Sequence, residues 1–454
     1  MSAKLPARVE EVLAPFRLGK ETLNKIVDAF ERDFRLGLEK GCPDSSCAMI
    51  PSFIPALPDG SESGRYLAMD LSGTGVRILL LTLYGSGRPD VLKGRYLITD
   101  ELMSGPGNEL FDHLAQCLSR FLEEHKLKDA NLPLGFVFSY PCVISSLRSA
   151  TLLWWTKGYT AANVVGNDVV KMLEDAIARR GDVKVRVTAI MNDTVGQLAS
   201  SSFEHGPDCT IGVVVGNGCN ASYLEETTKV KKFNAEKAGY TQPNVVVVTE
   251  WEEFGNKGQL DFVLTEFDRE VDANSVHKGQ QIVDKLTGNL YLGELARRIL
   301  DQLTVDGVLF GGERPEKLAL TDSFPSKYFA EILSDEEDGH FRNTRRIIDE
   351  LSIVQHTTID YHIMKEICQV LSRRSAAIVA AATTALMRVA GRSRVKLGLG
   401  GNLYQYHPTY RHLLEGQLRE LVPTTFHWDV VNTLDGSGRG AALVAAVAER
   451  LHLS

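Results

Sequence analysis

The sequence is most easily classified by what it lacks. No apolar run reaches the roughly 20 residues that a membrane-spanning helix needs. No block of five or more basic residues occurs, and the formal net charge is -8, which argues against nucleic acid or an anionic membrane as partner. The polar N-terminal segment shows no signal-peptide pattern. We therefore expect a cytoplasmic protein that has no membrane anchor and binds no nucleic acid.

Paired cysteine motifs are also missing. The seven cysteines are scattered, their number is odd, and no Cys-x-x-Cys occurs, so reduced thiols in a cytosolic protein are favoured over a disulfide framework. The chain has 454 residues, of which 44% are hydrophobic and 24% charged, values ordinary for a globular protein. This length allows two large lobes, each with its own core.

The most informative stretch is a hairpin pattern at residues 67–83. Apolar residues run into a small-residue turn, Ser72 to Gly75, and out again, with Asp70 before the turn and Arg77 after it. Glycines in such a turn let backbone N–H groups approach an anion, and Thr74 adds a hydroxyl. An ordinary hairpin turn is the alternative reading of this stretch alone.

Two further glycine turns favour the phosphate-binding reading. Residues 210–225 repeat the plan of strand, glycine turn and strand, which suggests a duplicated nucleotide-binding architecture with a cleft between its halves. Near the end, Asp-Gly-Ser-Gly-Arg-Gly at 435–440 opens an apolar helix, and a glycine turn at a helix start is a natural anion site. A plain loop with a helix cap is the alternative for the second of these.

Polar side chains also follow a predicted strand. Asn192 and Asp193 come directly after the strand pattern at 183–190, and strand ends at lobe junctions are favoured ligand sites. Taken alone, Asn-Asp-Thr is more often a helix N-cap than a ligand site. A carboxylate at such a place could accept the proton of a hydroxyl group during phosphoryl transfer.

These motifs together resemble the eukaryotic hexokinase family over nearly the whole chain. Asp-Leu-Ser-Gly-Thr at 70–74 is similar to the family's first phosphate loop, and Val-Gly-Asn-Gly-Cys-Asn at 215–220 to its second. Asn-Asp-Thr-Val-Gly at 192–196 resembles the catalytic motif, and the segments 134–142 and 155–159 resemble the sugar-binding signature. Residues 284–294 resemble the family's element that begins with a sugar-binding glutamate.

The resemblance implies a fold, two lobes and a set of site residues. The implied fold is an α/β two-lobed actin-like ATPase (ribonuclease H-like) fold with mixed sheets and a cleft between the lobes. The small lobe would comprise residues 65–205 and 435–454, and the large lobe residues 1–64 and 206–434. By the same resemblance the catalytic residues are Asp193 as general base, Lys157 and Arg77. The residues implied to bind the hexose are Ser139, Thr156, Lys157, Asn192, Asp193, Asn220, Glu250 and Asp284.

The family's cofactors are ATP and Mg²⁺. The nucleotide residues implied by the resemblance are Asp70, Ser72, Gly73, Thr74, Gly75, Arg77, Asn217, Gly218, Gly401, Asn402, Gly436 and Ser437. Asp70 would also be the metal residue, holding Mg²⁺ mostly through water because this ion keeps its hydration shell. The implied substrates are glucose or another hexose and ATP, and we expect a monomer.

The chain departs from the family pattern mainly in its loops. Most of the replaced groups would donate hydrogen bonds to phosphate, so the departures bear on catalytic power more than on fold. The departing residues are Ser72, Gly75 and Val76 in the first loop, Asn217 and Cys219 in the second, Val248, Glu252, Glu253 and Asp284 near the sugar site, and Gly400 (for an aspartate), Asn402 and Arg439 further on.

Three functions are therefore open from the sequence. The first is an ATP-dependent hexokinase that transfers the γ-phosphoryl group to the 6-hydroxyl of a hexose. The second is a hexose-binding regulatory relative with weak or no kinase activity. The third is another actin-like ATPase or scaffold, against which the sugar signature argues.

Overall fold

The computed structural model describes residues 5–40, 43–72, 75–85, 87–156, 159–336, 339–433 and 436–453, and for Ser72 only the backbone. The predicted site residues Gly73, Thr74 and Lys157 lie outside the described residues. The side chain of Ser72 lies outside them as well.

The strands fall into two large sheets and one hairpin. Their bounds are β1 Ile50–Pro51, β2 Ser63–Ser72, β3 Gly75–Tyr84, β4 Asp90–Leu97, β5 Leu132–Phe138, β6 Cys142–Ser146, β7 Ser149–Leu152, β8 Val185–Met191, β9 Cys209–Val215, β10 Cys219–Glu226, β11 Asn244–Val248, β12 Arg394–Gly400 and β13 His427–Asn432.

Helices connect and cover these strands. Their bounds are α1 Ala7–Leu13, α2 Lys20–Leu38, α3 Asp100–Ser104, α4 Gly107–Glu124, α5 Val169–Arg180, α6 Asp193–His205, α7 Glu266–Asn274, α8 Ile282–Thr287, α9 Asn289–Val305, α10 Lys327–Leu333, α11 Arg342–Glu350, α12 Thr358–Ala390, α13 Asn402–Tyr406, α14 Tyr410–Leu421 and α15 Gly436–Arg450. Within the described ranges, no helix is long and apolar enough to cross a membrane.

The first sheet has the order β4-β3-β2-β5-β8. The predicted hairpin is formed by β2 and β3, which pair antiparallel and place Asp70 opposite Arg77. The central strand β5 is buried along its whole length and pairs in parallel with β2 and β8. A continuous apolar run is expected for a parallel strand covered on both faces. Parallel pairing brings the ends of β5 and β8 to the same edge of the sheet.

The second sheet has the order β1-β11-β10-β9-β12-β13. It contains the second predicted hairpin, in which β9 and β10 pair antiparallel with Val215 opposite Cys219. β12 pairs in parallel with β9, so the carboxyl ends of these two strands lie side by side. The sheet therefore presents the turn after β9 and the turn after β12 at one edge.

Three apolar cores hold the molecule together. One belongs to the second sheet and the helices around it, and another to the first sheet with α4 and α5. The third lies between the sheets and contains residues of both, together with α6 and α15. Leu198 of α6 and Val444 of α15, for example, share this core with Val137 of β5 and Val248 of β11. The predicted two-lobed α/β fold is confirmed in this arrangement.

Candidate active site

A cavity between the two sheets collects several of the predicted sugar residues. It is lined by Phe138 and Tyr140 at the end of β5, by Asn192 at the end of β8, and by Val248 and Glu250 at the end of β11. The cavity therefore has walls from both sheets. Ser139 lies in the same segment as Phe138 and Tyr140 and is only 6% exposed.

Asn192 and Asp193 stand where the last parallel strand of the first sheet meets α6. Asn192 is the N-cap of this helix, and its Oδ1 accepts hydrogen bonds from the backbone N–H (2.9 Å) and the hydroxyl (2.8 Å) of Thr194. These bonds use only Oδ1, so the amino group of the amide can donate to a ligand. Asp193 is the first residue of α6, where the helix dipole favours a carboxylate. The N-cap reading and the ligand-site reading are therefore compatible.

Asn220 and Glu250 meet on the large-lobe side of the cavity. Nδ2 of Asn220 donates to Oε2 of Glu250 at 3.3 Å, while Oδ1 of Asn220 accepts from the hydroxyl of Thr249 at 3.0 Å. Glu250 has a left-handed backbone, with φ of 51°. For a residue other than glycine this conformation costs about 1–2 kcal/mol, and strain of this kind is concentrated at functional sites.

A second carboxyl group stands beside Glu250. Burial raises the pKa of Glu252 well above its usual range, and the negative charges of Glu250 and Asp284 raise it further. Glu252 therefore holds its proton where an ordinary glutamate would have lost it. Across the cavity, burial raises the pKa of Cys142 to about 12, with the charge of Glu250 adding to the effect. The carboxylate of Glu250 thus acts electrostatically on Glu252, next to it in the chain segment, and on Cys142 across the cavity.

An aromatic cluster supports the segment that carries Thr156. The ring of Trp155 stacks on Tyr159 at 5.2 Å and meets Tyr140 edge-on at 4.9 Å. Its indole N–H donates to the carbonyl of Ala161 at 2.9 Å. These contacts fix Trp155, the residue directly before Thr156.

The nucleotide end of the site is organised around Asp70. Its carboxylate is 1% exposed and pairs with the guanidinium of Arg77 through Oδ2. The hydroxyl of Ser437, in the first turn of α15, donates to the same Oδ2 at 3.1 Å, and Nη2 of Arg77 donates to Ser437 Oγ at 3.0 Å. Three predicted nucleotide residues from two distant segments therefore form one hydrogen-bonded triangle.

Asp70 also suits a magnesium ion. Its Oδ1 is buried and has no hydrogen-bond partner among the described residues. Mg²⁺ is bound in phosphotransferases by one or two carboxylates together with water and phosphate oxygens, so a single available carboxylate oxygen is an adequate protein ligand. In the described part of the chain, no group of three or more histidine, cysteine or acidic side chains is arranged to hold a metal ion by itself.

The turn after β9 is held by helices α8 and α9. The carbonyl oxygens of Gly216 and Asn217 accept from the N–H groups of Asn289 (2.8 Å) and Leu290 (3.2 Å) at the start of α9. The N–H of Cys219 donates to Oδ1 of Asp284 at 2.7 Å. The side chain of Asn217 is exposed, whereas that of Cys219 is 2% exposed and belongs to the large-lobe core.

This arrangement bears on two of the family departures. Asp284 uses one carboxylate oxygen to hold the backbone of the second loop, and its role as a sugar ligand stays a prediction. The sulfur of Cys219 is packed in the core, so the residue that replaces a threonine or serine there is not positioned as a phosphate donor. Gly401, with φ of 101°, precedes Asn402 at the start of α13 and completes the strand-end turns on this edge.

The sequence profile of the hexokinase family matches residues 8–203 with its first half and residues 210–447 with its second. The chain belongs to the hexokinase family. A hexokinase from Brugia malayi is 42% identical over 98% of this chain and 78% of its own length. The solved hexokinase from Schistosoma mansoni complexed with glucose superposes with a TM-score of 0.90 at 38% identity, covering 97% of this chain and 98% of that one.

Several mammalian relatives are about twice as long as this chain. Human hexokinase-1 is 37% identical over 98% of this chain, which spans 48% of its length. The sequence motifs do not reveal several neighbours of the predicted site residues. The aromatic cluster of Tyr140, Trp155 and Tyr159 and the raised pKa of Glu252 depend on contacts that no local pattern encodes.

Proposed function

We propose that this hexokinase-family chain transfers the γ-phosphoryl group of Mg-ATP to the 6-hydroxyl of a hexose such as glucose. The observation that carries the proposal is the cavity between the sheets. It brings Asn192, next to Asp193, together with Glu250 of the opposite lobe. Amide and carboxylate groups that converge from both lobes match the donors and acceptors of a sugar.

The proton transfer is assigned to Asp193. Its carboxylate stands at the N-terminus of α6, beside the sugar-facing Asn192, and accepts the proton of the attacking hydroxyl as the oxygen–phosphorus bond forms. Positioned proton transfer is typically worth about 10²–10⁴-fold in rate. Ser139, Thr156, Asn192, Asn220 and Glu250 orient the sugar, and Asp284 and Lys157 are kept as further predicted ligands.

The phosphate groups are assigned to the other end of the cleft. Arg77 is held by Asp70 and Ser437, so its positive charge is already oriented before ATP arrives. Asn217, Gly218, Gly401, Asn402, Gly436 and Ser437 would surround the nucleotide. Mg²⁺, when bound at Asp70, neutralises phosphate charge. Lys157 is assigned to the transferred phosphoryl group by the family resemblance alone.

We further propose that the lobes divide at the predicted boundaries, 65–205 with 435–454 and 1–64 with 206–434. The strands of the two large sheets fall on either side of this division. We also propose that the chain acts as a monomer in the cytoplasm. The six cysteines among the described residues are free thiols, as is usual in a reducing compartment.

A coupled assay with glucose and Mg-ATP tests the function, and Asp193→Asn tests the mechanism. Turnover of the variant should fall at least about 100-fold, while glucose binding, followed by tryptophan fluorescence, changes little. Asp129→Asn, at a side chain that is 95% exposed, is the matched control and should keep full activity. A wild-type chain that binds glucose and Mg-ATP but forms no hexose phosphate would contradict the kinase proposal and favour the regulatory alternative.

A further inference from the structure

Gln197 occupies an unusual place beside the nucleotide end of the site. It lies one helical turn after Asp193 on α6 and is only 2% exposed. Its Nε2 donates to the hydroxyl of Ser201 at 3.1 Å, and Ser201 is in turn 3.2 Å from the hydroxyl of Thr433. A buried carboxamide in such a chain of polar groups is oriented by its hydrogen bond, since an unsatisfied amide would cost free energy.

Two glycines face this carboxamide: Gly436, a predicted nucleotide residue, and Gly400, which directly precedes the predicted nucleotide residue Gly401. A Cβ atom built on Gly400, at the end of β12, would stand 2.7 Å from Cδ of Gln197 and closer still to Oε1. A Cβ built on Gly436, at the start of α15, would stand 2.6 Å from the same Cδ. The side chain of Gln197 therefore fills a space that closes around it from two segments, and a larger residue at either glycine would displace it.

The same glycine is one of the departures from the family pattern. By the family resemblance, Gly400 stands where the hexokinase pattern has an aspartate, directly before Gly401 and Asn402. In this chain that side chain is missing, and the amide of Gln197 stands where it would begin. The polar group at this point is thus supplied from helix α6 and not from the end of β12.

We propose that Gln197 is a positioning residue for the nucleotide, replacing the family's aspartate at position 400 by holding the turn after β12 and the start of α15 against α6. The inference rests on the proposed function. It implies that glycine at 400 does not mark a loss of function. The neutral amide of Gln197 on α6 replaces the carboxylate that the family pattern has at the end of β12.

The exchange has a physical basis. An aspartate added at 400 in the present chain would clash with the side chain of Gln197. It would also place a carboxylate in a buried site where the neighbouring side chains, Gln197 and Ser201, carry no positive charge. The polar chain through Ser201 and Thr433 satisfies an amide donor, whereas a carboxylate has no N–H to give. A side chain at 400 and the carboxamide of Gln197 would therefore compete for the same space, and the two positions should be energetically coupled.

Four variants test this coupling: Gln197→Ala, Gly400→Asp, their double variant, and Gln197→Met, which keeps the length of the side chain without its polar atoms. Affinity for Mg-AMPPNP and for glucose would be measured by calorimetry, with melting curves for each variant. These readouts do not require turnover, so an inactive wild-type chain would refute the proposed function and leave this test intact.

The expected result is a selective change at the nucleotide. Gly400→Asp should weaken Mg-AMPPNP binding about tenfold or more, and adding Gln197→Ala should recover most of that loss. Gln197→Met should fold normally and weaken nucleotide binding more than twofold while leaving glucose affinity unchanged. Gly416→Asp, at a glycine of α14 with no atom within 4 Å of the added Cβ, is the control and should change neither affinity.

Two results would overturn the inference. One is a double variant whose loss equals the product of the two single losses, because independent sites behave in this way. The other is a Gln197→Met chain with wild-type nucleotide affinity, since the carboxamide would then have no positioning role.

Discussion

Oδ1 of Asp284 accepts a hydrogen bond from the backbone N–H of Cys219 at 2.7 Å. This bond joins helix α8, beside the predicted sugar site, to the second phosphate-type loop. A carboxylate that holds the backbone of a phosphate loop affects nucleotide binding even without touching the nucleotide. The family resemblance implies a sugar-binding glutamate at the position of Asp284. The contact of Asp284 with the second loop points to a different role, which is support of the loop's backbone.

The first prediction concerns this bond. Asp284→Ala should weaken Mg-AMPPNP binding by about tenfold or more, because a hydrogen bond to a charged group is worth about 1.5–3 kcal/mol. Asp261→Ala, at an exposed acid of the same lobe, is the control. Calorimetry with nucleotide and with glucose separates the roles. Unchanged nucleotide affinity with a large loss of glucose affinity would return Asp284 to the sugar-ligand role.

Glucose should draw the two lobes together. Asn192 and Glu250 face the same cavity from different lobes, so a sugar that contacts both favours the closed arrangement by its additional contacts. Small-angle scattering at saturating glucose should show a smaller radius of gyration than without sugar. Glu250→Ala removes one side of the bridge and should abolish the change. An equal response in this variant would refute bridging by Glu250.

Restoring the family's residue at position 217 should improve nucleotide use. Asn217 is exposed on the second loop, and a threonine there would offer a hydroxyl to phosphate. We expect turnover to rise about tenfold or the KM for ATP to fall about tenfold, which corresponds to about 1.4 kcal/mol. Cys219→Thr is the informative comparison, because it buries a hydroxyl in the core and should lower Tm without a kinetic gain. Identical kinetics of Asn217→Thr and the parent would show that position 217 is not limiting.

Glu252 should make the folded chain less stable as pH rises. Burial and the charge of Glu250 raise its pKa in the folded chain, so the folded state retains a proton that the unfolded state has lost. The contribution of Glu252 to stability is then fully present below its pKa in the unfolded chain. This contribution is lost as pH rises through its pKa in the folded chain. The Tm of Glu252→Gln relative to wild type should therefore increase as pH rises above the ordinary range of a glutamate. A Tm difference that stays constant as pH rises would contradict the prediction.

His407 should make the folded chain less stable as pH falls. It is buried, and burial lowers its pKa to about 4. Its Nδ1 accepts from the N–H of Thr409 at 3.3 Å, so a proton on Nδ1 would face another donor. With the ordinary value of 6.5, stability should fall as pH drops from 6.5 to 4, by on the order of 3 kcal/mol. His407→Gln should flatten this dependence, and the exposed His412→Gln should not.

The sequence allowed prediction of the elements whose signals are local. The strand expected at 183–190 is observed as Val185–Met191. Both hairpins were predicted correctly because apolar strands that flank a small-residue turn specify their own pairing. The hairpin of β6 and β7 was not predicted.

The parts of the site that could not be predicted depend on distant partners. Asp284 and Cys219 are 65 positions apart, and Asp70 and Ser437 are 367 apart. Gln197 gave no signal at all in the sequence, because a glutamine on a helix is normally a solvent-exposed residue. Its role depends on two glycines of other segments that leave room for it. The resemblance to hexokinases identified candidate residues, and the tertiary packing supplied their neighbours.

The third core, between the sheets, has a consequence for how the chain is made. Helix α15 covers β2 and β5 there, although it follows β2 by more than 360 positions. During synthesis the first sheet must therefore wait for nearly the whole polypeptide before one of its faces is covered. Contacts of such sequence separation form slowly and leave apolar strands exposed meanwhile. An apolar face of the first sheet therefore stays exposed to aggregation until α15 has emerged from the ribosome.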